Sequence, residues 1–170
     1  ALTISSVCRG LTPSATLRLN AMVLELRTRG LDIISLAAGE PDFSTPVNVR
    51  DAGKRAIDAG KTKYTAVAGI PELRRAIAAH IAEHKGLQYT DKEIIVGTGA
   101  KQVLMDAMNA ILDPADEVLL PAPCWLSYPE MVRMAAAVPV PIIAGESQGY
   151  IPTREQLEAA VTPRTKAIII

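Results

Sequence analysis

From residue 93 onward the chain alternates short apolar runs with segments of helical periodicity, and this alternation limits the fold more than any other feature. Glu93–Val96, Glu117–Leu120, Val138–Ile143 and Lys166–Ile170 read as strands. Between them, 101–112, 128–135 and 154–161 carry apolar residues at helical spacing, such as Val103, Leu104, Ala107, Met108 and Ile111. Strand–helix–strand repetition predicts an α/β fold with a mainly parallel sheet and helices on both faces. The hydrophobic fraction of 49% agrees, because strands covered on both sides must be apolar throughout.

The N-terminal part reads differently. Pro13 to Arg29 predicts a helix, capped by Ser14 or Thr12 and stopped by Gly30. Asp32–Leu36 predicts a short strand. A second helix runs from Val47 to Ala59 behind Thr45-Pro46, and a third begins at Pro71 and ends near Gly86. Lys61 to Gly69 is a polar loop holding Tyr64.

Ligands of such sheets bind beyond the carboxyl ends of the strands. One of these ends is Val96-Gly97-Thr98-Gly99-Ala100-Lys101-Gln102. Its glycines permit a tight turn and close approach of a ligand. The first N–H groups of the following helix, with the positive end of its dipole, make an anion site, most often for phosphate. The next strand end leads into Pro121-Ala122-Pro123-Cys124-Trp125, which supplies a flat aromatic surface. Together they suit a planar, phosphorylated ligand. A plain dinucleotide fold is set aside, because Gln102 stands where its third glycine belongs.

Bulk properties exclude several classes. Lys plus Arg equals Asp plus Glu at 18 each, so no basic stripe points to nucleic acid. No run approaches the roughly 20 apolar residues of a membrane span. Cys8 and Cys124 have no metal-ligand spacing and are too few for a disulfide framework, so a reducing cytoplasm is the expected setting. His80 and His84 lie four apart on one helix face, but Ile81 stands where a zincin pattern needs glutamate, and no metal is expected. Cys124 has no assignable base and reads as a packed thiol. The all-apolar strand at the end of the sequence suggests the front part of a longer protein.

Four motifs, in order, resemble those of one family: Ala37-Ala38-Gly39-Glu40-Pro41-Asp42-Phe43; Lys63-Tyr64-Thr65 followed by Ala68-Gly69-Ile70-Pro71-Glu72-Leu73-Arg74; Thr98-Gly99-Ala100-Lys101-Gln102; and Pro123-Cys124-Trp125-Leu126-Ser127-Tyr128. The chain is similar to the N-terminal part of class I/II aminotransferases of fold type I, which use pyridoxal 5′-phosphate. It is most similar to the bacterial-type aspartate and prephenate aminotransferase subgroup.

The resemblance implies roles. The backbone of Gly99, Ala100 and Lys101 holds the cofactor phosphate, and Trp125 stacks on the pyridine ring and borders the substrate. Tyr64 reaches the phosphate in a partner subunit, which implies a homodimer. Gly39 offers its N–H to the substrate carboxylate. Residues 1–44 correspond to an N-terminal arm with part of the small domain, and 45–170 to the first part of the large cofactor-binding domain. The expected reaction is amino transfer from aspartate to 2-oxoglutarate. Some members with prephenate activity carry a lysine just before the position of Pro13, where this chain has Thr12.

The lysine that binds the cofactor covalently, the aldimine lysine, is not expected among the seven present (54, 61, 63, 85, 92, 101 and 166), none of which has its serine-rich context. It is expected beyond Ile170, so no catalytic residue is assigned and the fragment alone is expected to be inactive. Two alternatives stay open. One is another fold type I enzyme, such as a β-lyase or an aminocyclopropane-carboxylate-synthase-like enzyme; the other is a non-catalytic binding protein on the same fold.

Overall fold

A computed structural model describes residues 2–170. It divides into two units, one formed by residues 2–38 with 104–170 and the other by residues 39–103.

In the first unit, α1 (Ser6–Arg9) is a single turn capped by the Ser5 hydroxyl. α2 (Ala15–Thr28) begins where the Ser14 hydroxyl accepts the Leu17 N–H at 3.4 Å, which settles the capping residue as Ser14. The expected strand at Asp32–Leu36 is absent. Among the described residues that segment pairs with no strand; the Ile33 carbonyl accepts from Arg27 at 2.8 Å and the Ser35 hydroxyl accepts the Ala37 N–H at 3.4 Å. An apolar run without a ladder partner stays irregular.

The sheet consists of β1 (Glu117–Ala122), β2 (Val138–Ile143) and β3 (Thr165–Ile168), in the order β2-β1-β3 and parallel throughout. β1 and β2 pair without interruption from Glu117 opposite Val138 to Ala122 opposite Ile143. β1 and β3 slip by one residue, with Glu117 opposite Thr165 but Val118 opposite Ala167.

Side-chain alternation on β1 explains the layers. Val118 and Leu120 turn to one face and join Met108, Leu112, Met131 and Val132 in the main core. These come from the C-terminal part of α5 (Ala100–Ile111), the residue after it, and α6 (Ser127–Met134). Leu119 turns to the other face, where it lines a hollow with Leu157 of α7 (Arg154–Ala160) and Val161. Helices therefore cover both faces, as the alternation predicted. Full burial of Val118, Leu120 and Val132 contributes about 1.5–3 kcal/mol each.

A buried carboxylate stands at the N-terminal end of the central strand. Glu117, at the start of β1, accepts the Thr162 hydroxyl at 2.6 Å and pairs with Arg164. Its own N–H donates to the Arg164 carbonyl at 2.8 Å. The Thr162 hydroxyl and the Arg164 guanidinium hold the Glu117 carboxyl below the usual carboxylate range, against the opposing effect of burial.

The second unit is built on α3 (Val47–Asp58) and α4 (Pro71–Lys85), the latter closed by Gly86 in the left-handed conformation. Arg74 of α4 donates to the Asp91 carbonyl at 2.7 Å and fixes a short 3-10 turn at Asp91–Glu93. The expected strand at Glu93–Val96 is not formed. Ile94 to Val96 has no ladder partner; the Ile94 N–H donates to the Asp91 carbonyl at 3.4 Å and the Val96 N–H to the Ala68 carbonyl at 3.1 Å. The glycine turn is thus entered from an unpaired segment rather than from a sheet strand.

Candidate functional site

The glycine turn is shaped by three local facts. The first helical bond of α5 runs from the Val103 N–H to the Gly99 carbonyl at 3.3 Å, so the N–H groups from Gly99 onward precede the ladder. Gly99 has φ +89°, a conformation that disfavours any side chain, and a Cβ there would meet nothing within 4 Å. Gly97 serves packing instead, since a Cβ on it would lie 2.7 Å from Val103 Cγ2. One glycine seats the helix; the other opens the backbone.

Gly39 and Tyr64 belong to the same unit as this turn. Nothing lies within 4 Å of a Cβ built on Gly39, so packing within the chain does not require glycine there. Tyr64 is fully exposed, with nothing among the described residues covering its ring. The loop that carries it ends at Gly69, whose N–H donates to the Ala66 carbonyl at 2.9 Å.

Trp125, in the other unit, lies three residues past the end of β1, after a cis Ala122–Pro123 peptide. Its ring meets Tyr128 edge-on, with centroids 5.4 Å apart at 86°, and it remains 40% exposed.

The remaining candidates carry no such geometry. His80 and His84 stack on an exposed face of α4 with centroids 4.0 Å apart. Among the described residues no three metal-binding side chains gather. Cys8 and Cys124 are exposed, so the expectation of a packed thiol at Cys124 does not hold; the turn after β1 leaves it at the surface. No helix of the described residues is long and apolar enough to cross a membrane.

Sequence reasoning missed Gln102, whose side-chain carbonyl accepts the Thr98 N–H across the turn. A signal was present, because glutamine three residues after a helix N-cap often folds back onto backbone N–H groups.

The family model for aminotransferase class I and II matches residues 31–170. The chain belongs to that family. It is 52% identical over 166 residues to an aspartate/prephenate aminotransferase of Cereibacter sphaeroides, covering 98% of this chain and 42% of that protein. It is 48% identical over 167 residues to the aspartate/prephenate aminotransferase of Thermus thermophilus, covering 98% and 43%. The solved structure of Thermus thermophilus aspartate aminotransferase with maleate superposes with a TM-score of 0.95 at 47% identity, covering 100% of this chain and 44% of that one. The chain thus spans less than half the length of the relatives it matches, and within that span it has the parallel α/β architecture of the family.

Proposed function

We propose that this chain forms the cofactor-holding front part of a pyridoxal-phosphate-dependent aminotransferase that moves the amino group of aspartate to 2-oxoglutarate. The observation that carries the reading is the start of α5, where Gly99 is open and left-handed beside the first N–H groups of the helix. Those features fit a phosphate, which needs backbone donors and room rather than a side chain.

When bound, pyridoxal phosphate supplies the electron sink that lets an amino group pass between an amino acid and a 2-oxo acid. The chain's own residues bind and orient. The N–H groups of Gly99, Ala100 and Lys101 hold the phosphate. Trp125 covers one face of the ring and keeps water from it. Gly39 directs its N–H at the substrate carboxylate, and the absence of a Cβ leaves that carboxylate room. Tyr64, unburied by its own chain, extends to the phosphate of a second subunit in a homodimer.

Residues 1–44 serve as an arm with part of the small domain, and 45–170 begin the large domain. The lysine that reacts with the cofactor is not among the seven of this chain, so residues 1–170 alone do not transaminate. The protein works in the cytoplasm. Maleate in the related Thermus structure is a dicarboxylate, which supports a dicarboxylic substrate. Prephenate is a second reading, favoured by the relatives named for both substrates.

The test is a coupled assay on the complete protein with pyridoxal phosphate, aspartate and 2-oxoglutarate. Formation of oxaloacetate and glutamate is expected. Cofactor binding with no amino transfer to any oxo acid would contradict the reading.

A further inference from the structure

We propose that Gln102 is a positioning residue that presets the phosphate turn before any ligand arrives. The inference rests on the cofactor reading above but adds a residue and a way of working to it. Gln102 is an exposed helix residue, yet its side chain folds back and its Oε1 accepts the Thr98 N–H. This bond closes the turn from Thr98 to Gln102. It also occupies the Thr98 donor, leaving the N–H groups at Gly99 to Lys101 as the set directed at an anion.

Gly97 makes the arrangement possible. A Cβ on Gly97 would lie 3.4 Å from Gln102 Oε1 and 2.7 Å from Val103 Cγ2, so the missing side chain makes room for both. The other side of the turn is held as well. Val96, just ahead of it, bonds through its N–H to the Ala68 carbonyl at 3.1 Å and lies against Gly69. The turn is therefore fixed before and after the open glycine at 99. A cradle held in this way loses less freedom when it takes up a dianion, and the saving appears as affinity.

Two ligands separate this role from a merely structural one, because pyridoxal lacks the phosphate that the turn would read. Pyridoxal phosphate and pyridoxal are titrated into the complete protein as wild type, Gln102→Ala and Gln102→Glu, and amide exchange is followed at Thr98. Gln102→Ala is expected to weaken pyridoxal phosphate binding about five- to tenfold, the scale of one lost hydrogen bond, while pyridoxal affinity is unchanged. Exchange at Thr98 rises in that variant and stays slow in Gln102→Glu, which keeps an acceptor of the same length.

Equal affinity loss for both ligands in Gln102→Ala, or no loss with Thr98 exchange unaltered, would overturn the proposal. Because Gln102 is exposed, these variants are expected to fold. Should the wild type itself not bind pyridoxal phosphate, the functional reading falls, while exchange at Thr98 still decides whether Gln102 holds the turn.

Discussion

Gly69 lies so close to Val96 that a Cβ built on the glycine would be 2.8 Å from Val96 Cγ2. The loop carrying Tyr64 therefore ends directly on the segment that enters the glycine turn. Gly69 also has φ +99°, so any side chain there meets both backbone strain and a clash. Gly69→Ala is expected to destabilise the protein by about 1–3 kcal/mol, read as a lower urea midpoint. An unchanged midpoint would show that Val96 moves aside freely.

Most helices were legible because their start and stop signals are local. Ser14, Pro71 and the glycines 30, 60 and 86 mark ends that need no distant partner. The strands were harder. Val138–Ile143 was read with the observed bounds, and β1 was read two residues short. Asp32–Leu36 and Glu93–Val96 have the same apolar character but no ladder, and a single segment's pattern cannot reveal whether a neighbour exists. At the site, the glycine turn and Trp125 could be singled out from residue type and order. The tight contacts of Gly69 and Gly97 depend on which valine packs above them, and nothing in the spacing shows that.

Glu117 should contribute to acid sensitivity, together with Glu93 and Glu155, whose folded pKa values are lowered as well. The folded pKa of Glu117 is lowered by Thr162 and Arg164, so this carboxylate binds its proton more weakly than in the unfolded chain, where the value is about 4.3. Its contribution is complete above the unfolded value and is lost as pH falls through the folded one. Gln at this position should flatten the acid limb of a stability–pH curve and leave its shape near neutrality unaltered. An acid limb as steep as that of the wild type would place the titration elsewhere.

Tyr64 gives a test of subunit exchange at the site. No described residue covers its ring, and Tyr64→Phe removes only a hydroxyl, so folding should stay intact. If its hydroxyl bonds a phosphate across a dimer, the variant should bind pyridoxal phosphate about tenfold or more weakly. Mixed dimers of Tyr64→Phe with a variant defective in the phosphate turn should recover one intact site. A protein that sediments only as a monomer would remove the cross-subunit role.

Substrate choice can be examined at Thr12. Its backbone N–H donates to Glu130 Oε2 at 3.1 Å, a contact that a change of side chain leaves in place. The wild type should favour oxaloacetate over prephenate as amino acceptor, and Thr12→Lys should raise the relative kcat/KM for prephenate. Comparable wild-type rates on both acceptors would show that this position does not set the preference.

Whether the start of α5 holds a phosphate is decided by a crystal structure of the complete protein with pyridoxal phosphate. Phosphate oxygens are expected about 3 Å from the backbone nitrogens of Gly99, Ala100 and Lys101. A phosphate bound elsewhere, with this turn left to water, would contradict that placement.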